Sequence, residues 1–374
     1  MKKITFITMQ LRTPGGIERF VSTLATMFSD NYNVEIIANY GKPSTALAFP
    51  LSKNIKVTFL QPTQPKEISM KNLIIHFMWH KIPAELKRRY KINHTRIKAF
   101  RSYLKNLDTD YIITDRALYS KLTGKYYHGN AKKIATDHNF HQNNPKYIKT
   151  LRNSLKNFDV LVVATKELRT FYQKIFSNIK CYNIPNPLNQ IPTKKSPLNT
   201  KNLLAIGRFV PEKSFLSLVD VMNLVHQENP EIKLTIIGDG QEMPLIKSKI
   251  KSSGLENIIS LPGWLSPDKI EKYYYNSSLY VMTSKTEAFG LVLTEAMSFG
   301  LPCIAFDRAS GARSLISAQT GVLISNADTG MMAKKIVELL RSPNKLKTYQ
   351  HNINQIIQDY SQESVKSHWA KIIN

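Results

Sequence analysis

Short apolar runs rich in β-branched residues alternate with longer amphipathic segments along most of the chain. Such alternation is typical of parallel sheets, because a helix between two strands carries the chain back to start the next strand in the same direction. The predicted strands of the first half lie at 4–9, 33–38, 55–60, 110–114, 133–135 and 160–163. Those of the second half lie at 202–206, 234–237, 258–261, 279–282, 303–306 and 322–324. The chain is therefore predicted to be an α/β protein.

The alternation is interrupted once, by a segment rich in proline and asparagine, which is typical of a linker. We predict a first Rossmann-like, doubly wound domain at 1–184, a linker at 185–199 and a second such domain at 200–355. A final helical segment, 359–374, is expected to pack back on the first domain. Two such domains joined by one hinge are expected to face each other across a central cleft, where ligands bind at strand ends.

The cysteine content and the length of the apolar runs indicate in which cellular compartment the protein is expected. The only cysteines are Cys181 and Cys303, which excludes a disulfide framework and a four-thiolate zinc site and fits a reducing cytoplasm. The N-terminal MKKITFITM has a basic start, but its apolar run is too short and too polar for a signal peptide. No stretch approaches the roughly 18 apolar residues that span a bilayer. We expect a cytoplasmic protein, soluble or peripheral on the inner face of the membrane.

The charge is strongly positive: 52 Lys and Arg against 27 Asp and Glu, a formal +25. This excess favours polyanionic partners, although a lysine-rich solvated surface would give the same count. Nine cations and one acid, Glu85, lie between residues 81 and 105, directly after the mostly apolar run 73–79. We expect the segment 71–107 to contact an anionic membrane surface. The alternative is an ordinary domain helix with a solvated basic face.

The segment 284–300 has the densest chemical pattern. A strand runs into a polar turn with Glu287, and a helix is predicted to begin near Phe289, Gly290 and Leu291. The free N–H groups and positive dipole of a helix start suit a pyrophosphate. Glu287 can accept hydrogen bonds from sugar hydroxyls, and Glu295, within the helix and facing the same predicted cleft, from a ribose diol. A plain helix with two solvated glutamates is the alternative.

The spacing Glu287-x7-Glu295, followed by EAMSFGLPCIAF, resembles the E-x7-E signature of retaining GT-B glycosyltransferases of family 4. Arg208 with Lys213 resembles the family's GR…EK element, whose cations neutralise the donor diphosphate. The family usually has glycine after that lysine, whereas this chain has Ser214. We expect only a small effect on the local turn.

Further segments match the family in order along the chain. Residues 236–240, ending at Gly240, resemble its G-x-G loop, and the segment with Trp264 resembles the one whose backbone reads the base. Gly15 and Gly16 resemble the glycine loop that approaches the donor phosphates. The resemblance gives His138, in Asp-His-Asn after a predicted strand, a hydrogen-bond donor role near the transferred sugar. His141 is a second candidate, and a capping or surface histidine is the alternative.

The resemblance implies a retaining, metal-independent hexosyltransferase with no cofactor. The expected donor is a nucleotide-sugar, most commonly a UDP-sugar. The expected acceptor is a bacterial cell-surface glycan, teichoic-acid-like or lipid-linked, and nucleic acid is not expected as a partner. Asp108-Thr109-Asp110 has the spacing of a metal-binding D-x-D, but it precedes a strand rather than following one. The alternatives are a GT-B epimerase or phosphorylase, or a basic nucleic-acid-binding protein, for which no RNP, KH or helix-turn-helix pattern is present.

Overall fold

The protein is represented by a computed structural model that describes residues 1–63, 65, 78–138 and 144–373. It divides into two compact units, one formed by residues 1–163, 171–182 and 373, the other by 164–170 and 183–372. Part of the basic segment, residues 71–77, lies outside the described residues, as do Asn139 and the alternative His141.

The first unit contains a seven-stranded sheet in the order β3-β2-β1-β4-β5-β6-β7. The strands are β1 Lys3–Thr8, β2 Asn33–Tyr40, β3 Lys56–Gln61, β4 Tyr111–Thr114, β5 Lys132–Asp137, β6 Val160–Val163 and β7 Lys180–Asn183. Neighbours from β3 to β6 pair in parallel. The sequence did not predict β7, because its four residues include only one fully buried side chain, Cys181, and form no apolar run.

The helices of the first unit follow from amphipathic patterns. They are α1 Gly16–Phe28, α2 Ile82–Lys105, α3 Ala117–Tyr126 and α4 Pro145–Ser154, and α5 Lys166–Ile175 spans the division between the units. The predicted apolar face of α1, with Phe20, Leu24 and Phe28, is buried. By contrast, α2 buries only Glu85, Phe100 and Leu104, so most of its basic surface faces solvent. Over the described ranges, no helix combines the length and apolarity that crossing a membrane requires.

The second unit contains a six-stranded sheet in the order β10-β9-β8-β11-β12-β13, with every pair parallel. The strands are β8 Asn202–Ile206, β9 Lys233–Ile237, β10 Ile259–Gly263, β11 Leu279–Met282, β12 Cys303–Phe306 and β13 Gly321–Ile324. The helices are α6 Phe215–Glu228, α7 Met243–Ser252, α8 Pro267–Tyr275, α9 Leu291–Ser298, α10 Ser310–Leu315, α11 Thr329–Leu340, α12 Pro343–Ile356 and α13 Gln362–Ile373. Both units are therefore Rossmann-like α/β domains, as predicted, and every predicted strand is present within two residues of its expected bounds.

Backbone hydrogen bonds tie the loops at the carboxyl edge of the second sheet together. Gly207 donates to the carbonyl of Ile237 at 3.0 Å, and Gly238 donates to that of Gly263 at 3.0 Å. A Cβ atom at Gly238 would lie 1.8 Å from the Gly207 carbonyl oxygen, and the residue has φ +147°. Only glycine permits this approach, so the loops after β8, β9 and β10 form one packed layer.

Replacing Gly238 by alanine should therefore destabilise the protein by roughly 2–3 kcal/mol or more, through a backbone clash in addition to backbone strain. Gly254→Ala is the matched control, because Gly254 also has positive φ, +66°, but a Cβ there meets no atom within 4 Å. It should cost only about 1 kcal/mol. Denaturant unfolding of both variants measures the difference, and equal losses would show that the close approach is unimportant.

Candidate active site

An ion pair between Lys213 and Glu287 links two loops at the carboxyl edge of the second sheet. Lys213 follows β8, Glu287 follows β11, and the Lys213 ammonium contacts Oε2 of Glu287. Because β8 and β11 are neighbours, their carboxyl ends lie side by side. The side chains are 18% and 20% exposed, so solvent reaches both charges but screens them only partly. The pair therefore places a cation and a carboxylate, both accessible, at one point.

The loops that carry this pair are held by further hydrogen bonds. The Thr283 hydroxyl donates to the carbonyls of Lys213 at 3.2 Å and Ser214 at 3.1 Å, and the Lys285 amide donates to Glu212 at 2.8 Å. Ser214 adopts the left-handed conformation, with φ 54° and ψ 38°. Glycine adopts this conformation without strain, whereas a serine adds strain of about 1 kcal/mol.

Helix α9 begins directly after Glu287. Gly290 caps it in the left-handed conformation, φ 88°, and accepts a hydrogen bond from the Leu293 amide at 2.8 Å. The Gly311 amide, in α10, donates to the Glu287 carbonyl at 3.0 Å and so fixes the preceding turn. Phe289 is buried within this turn. The helix begins at Leu291, near the predicted start, and its first amides point out of the helix end, an arrangement that suits an anion.

Glu295 lies on α9, where the Tyr274 hydroxyl donates to its Oε2 at 2.9 Å. The Tyr274 ring is buried and stacks on Phe299, with centroids 4.9 Å apart and planes 12° from parallel. This packing orients the carboxylate. The sequence did not identify Tyr274 as a partner, because its three-tyrosine run gives no sign of which hydroxyl points at α9.

Three other predicted residues lie along the same edge. Arg208 follows β8 and is exposed, Gly240 follows β9, and Trp264 follows β10 and is 57% exposed. In the strand order β10-β9-β8-β11, the β8 loop is adjacent to the Glu287 turn, and the β9 and β10 loops lie two and three strands away on the same edge. The edge thus presents an aromatic side chain, two cations, a carboxylate and a helix start, a combination that suits a base, a diphosphate and a polyol.

The remaining predicted residues, Gly15, Gly16 and His138, belong to the first unit. Gly15 precedes α1, and a Cβ there would lie 2.3 Å from a carboxylate oxygen of Glu18. His138 follows β5 and is partly buried. Its ring packs on Phe20 of α1 at 4.4 Å between centroids, so the end of β5 and the glycine loop lie close to the same helix.

The surroundings of His138 keep its ring neutral. The Nε2 atom lies 2.9 Å from the Thr136 hydroxyl, which is also 3.2 Å from the Thr114 carbonyl. The pKa of His138 is lowered to about 4, mainly by burial, with Asp137 opposing the shift and Arg116 adding to it. The Thr136 hydroxyl has one proton for two acceptors, the Thr114 carbonyl and Nε2, and the tautomer of the neutral ring follows from which of them receives it.

The chain matches known glycosyltransferases. Residues 189–356 match the family model described as Glycosyl transferases group 1. The amylovoran biosynthesis glycosyltransferase AmsD of Erwinia amylovora is 26% identical, with 100% of both chains covered. The poly(glycerol-phosphate) alpha-glucosyltransferase of Bacillus subtilis is 24% identical, over 80% of this chain and 46% of that one. A crystal structure of an S. aureus TarM mutant, in complex with fondaparinux, alpha-GlcNAc-glycerol and UDP, superimposes with TM-score 0.81 at 18% identity, covering 100% of both chains.

The two Rossmann-like domains, the structural likeness and the family match agree. Residues 189–356, which carry the Lys213–Glu287 pair and the α9 helix start, are those that match the group 1 model. The chain therefore has a GT-B fold, and the match of residues 189–356 in its second unit to the group 1 model supports a glycosyltransferase activity.

Proposed function

We propose that the chain transfers a hexosyl unit from a nucleotide-sugar, with retention of anomeric configuration, to a bacterial cell-surface glycan or lipid-linked acceptor. The observation that carries the proposal is the contact of Lys213 with Glu287 beside the start of α9. It combines a cation for a leaving diphosphate with a carboxylate for sugar hydroxyls. The same edge carries the exposed Trp264, which suits a nucleoside base.

Charge balance defines the roles of the cations. When the donor bond breaks, negative charge accumulates on the nucleoside diphosphate, and groups already aimed at it lower the barrier most. Lys213, Arg208 and the first amides of α9 supply this stabilisation. The ammonium of Lys213 is held by Glu287, so it is oriented before the donor binds. These groups take the place of a metal ion, and the proposed reaction needs no metal or cofactor.

Glu287 in the second unit and His138 in the first are each proposed to hydrogen-bond a sugar hydroxyl. Glu287 accepts hydrogen bonds from sugar hydroxyls with the oxygen that Lys213 does not contact. Neutral His138 hydrogen-bonds a sugar hydroxyl through Nδ1, and the donor role that the sequence resemblance implies requires the Thr136 hydroxyl to donate to Nε2. The acceptor hydroxyl attacks from the face that the diphosphate leaves, and the leaving phosphate takes the proton of that hydroxyl.

The proposed classes of donor and acceptor are supported by what the names of similar proteins state. The TarM structure contains UDP, and the B. subtilis relative acts on poly(glycerol-phosphate), as their names state. The E. amylovora relative is named for amylovoran biosynthesis. These similarities support a UDP-sugar donor and a polysaccharide or teichoic-acid-like acceptor.

We also propose that α2 and the turn before it lie on an anionic membrane surface at the inner face. Trp79, Leu86 and Tyr90 are 59%, 55% and 73% exposed, an unusual concentration of exposed large apolar side chains. Leu86 and Tyr90 are one helical turn apart, beside the exposed Lys87 and Lys91. An apolar ridge flanked by lysines suits the headgroup region.

Glu287→Gln and Lys213→Met should each lower turnover by roughly 100-fold or more, because each removes a charge aimed at the reacting groups. Turnover is measured as nucleoside diphosphate released from a panel of UDP-sugars. Lys201→Met is the matched control, since Lys201 forms a similar ion pair with Glu231 at an exposed position. All three variants should melt close to the wild type. Near-normal release by either site variant would refute the assigned site.

The stereochemistry is a separate prediction. A UDP-α-sugar should give an α-linked product, because attack and departure occur on the same face. Proton NMR of the anomeric region of the product measures the configuration directly, because a glycosidic linkage, unlike a free reducing sugar, does not anomerise. A β-linked product would contradict retention and leave the transferase assignment intact.

The membrane prediction uses sedimentation with vesicles. Trp79→Ala/Leu86→Ala/Tyr90→Ala should bind phosphatidylglycerol-containing vesicles at least 10-fold more weakly than the wild type, since three apolar anchors are lost. Leu245→Ala is the control, because Leu245 is exposed to a similar extent, 57%, on α7. Wild-type binding should weaken in high salt and with neutral phosphatidylcholine. Equal binding by the triple variant and the control would contradict contact through α2.

A further inference from the structure

Buried polar atoms without hydrogen-bond partners are concentrated at one place in the first unit. Within the described ranges, such atoms include Nε of Arg12, Nδ2 of Asn39, Nε of Arg96, Oδ1 of Asp115 and Nε of Arg116. Each such group typically costs about 1–3 kcal/mol, so proteins rarely keep several together without a use for them. We call these five residues the arginine cluster.

The arginine cluster lies at the carboxyl edge of the first sheet. Arg12 follows β1, Asn39 is near the end of β2, and Asp115 follows β4. The strand order reverses direction between β1 and β4, because β2 lies on one side of β1 and β4 on the other. Open parallel sheets bind ligands at this switch point. The position suits a substrate subsite.

Arg12 and Arg96 are held close to neighbouring residues of β2 and its loop. The Arg12 guanidinium lies 4.5 Å from the Phe59 ring centroid and donates to the Ala46 carbonyl at 3.3 Å. Arg96 reaches from α2 and donates to the Tyr40 hydroxyl at 3.1 Å. A Cβ atom on Gly41, the residue after Tyr40, would lie 2.9 Å from Nε of Arg12. The two guanidinium groups therefore approach adjacent points of the backbone.

The carboxylates of this region are directed at Arg116. Glu18 accepts from it at 3.3 Å, and Oδ1 of Asp115 lies 3.9 Å from its Nε. Burial raises the pKa of Asp115 to about 7, although Arg116 and the Thr8 hydroxyl, 2.5 Å from Oδ2, act in the opposite direction. Considering only the part of the chain described above, Arg12 and Arg96 form no ion pair, so no carboxylate of that part compensates their charges.

Tyr119 connects the two sides of the arginine cluster. Its ring is 1% exposed, and burial and the nearby Asp115 raise the pKa of its phenol, while Arg96 lowers it. One buried phenol therefore experiences both Asp115 and Arg96. The arginines, the amide of Asn39 and the carboxyl of Asp115 form one polar region.

We propose that the arginine cluster binds a phosphate group of the acceptor. The inference deepens the proposed function and rests on it for the identity of the ligand as an acceptor. Two partly exposed guanidinium groups and one amide offer donors from three elements, β1, β2 and α2, which suits a phosphate with its several acceptor oxygens. The carboxyl group of Asp115 offers a place for a neighbouring hydroxyl. The acceptor is then phosphate-bearing and hydroxylated.

Calorimetric titration of the full chain, without donor and at fixed ionic strength, tests this binding. The ligands are glycerol 3-phosphate, inorganic phosphate and glycerol, which separate the phosphate from the polyol. Glycerol 3-phosphate should bind most tightly, phosphate more weakly, and glycerol alone not measurably. Arg12→Gln and Arg96→Gln should each weaken glycerol 3-phosphate binding at least 10-fold. No wild-type binding, or equal binding of glycerol and glycerol 3-phosphate, would overturn the proposal.

Arg101→Gln is the matched control, because Arg101 lies on the same helix as Arg96, is exposed, and also lies 6.0 Å from a tyrosine ring centroid. Arg101→Gln should bind glycerol 3-phosphate with the affinity of the wild type. Lys213→Met should also bind it normally, and that result would place the phosphate in the first unit. Unchanged affinity in both cluster variants would refute the arginine cluster as the site.

Folding and function are controlled separately. If a glutamine variant melts well below the wild type, the corresponding lysine variant, Arg12→Lys or Arg96→Lys, is titrated instead. Lysine keeps the charge but loses the planar fork, so the lysine variant should bind glycerol 3-phosphate with an affinity between those of the wild type and the glutamine variant. Binding as tight as that of the wild type would count against the site. The titration needs no turnover. Absence of nucleoside diphosphate release by the wild type would refute the proposed function, whereas the titration alone decides whether the cluster binds phosphate.

Discussion

Parallel strand pairing is the constraint on which the rest of the second unit depends. Every pair in its sheet is parallel, so the loops after β8, β9, β10 and β11 all emerge at one edge. Residues distant in the sequence, such as Lys213 and Glu287, come into contact only because β8 and β11 are neighbours in the sheet. The hydrogen bonds of Gly207 and Gly238 then fix these loops against each other. A rigid edge keeps side chains oriented before a ligand arrives, which is the requirement for electrostatic catalysis.

The Lys213–Glu287 pair is better explained by function than by stability. Exposed ion pairs contribute little, and partly buried ones lose much of their Coulomb energy to desolvation. In the proposed site, however, removing Lys213 leaves a carboxylate facing the diphosphate, and removing Glu287 leaves an ammonium facing the sugar. The left-handed Ser214 and the Thr283 hydrogen bonds show that the backbone is shaped around this lysine. Local strain of this kind is typical of functional loops.

Much of this arrangement could be predicted from the sequence, for identifiable reasons. Apolar runs bounded by polar turns located twelve strands, and strand–turn–helix order placed Glu287 before a helix start. The strand order could not be predicted from the sequence, and the contact of Lys213 with Glu287 could not be predicted because it depends on that order. Nor could it supply partners set by packing, such as Tyr274 for Glu295. The arginine cluster was also missed, because Arg12, Arg96 and Asp115 form no motif and converge only through the pairing of β1 with β4 and the packing of α2. One signal was available: Asp115 and Arg116 directly follow a predicted strand.

The two units use different cations, and the difference is physically meaningful. Lysine is a compact ammonium on a flexible stem, and Lys213 needs a carboxylate to hold it in place. Arginine is planar and less strongly hydrated, so Arg12 and Arg96 are held by aromatic rings and carbonyl or hydroxyl oxygens. A charge held by a ring keeps its full attraction for an anion, whereas a charge held by a carboxylate must share it. Lys213 therefore suits an anion whose charge grows during the reaction, and the arginines suit an anion whose charge is permanent. The excess of positive charge in this chain thus includes the cations of two proposed sites that differ in their chemistry.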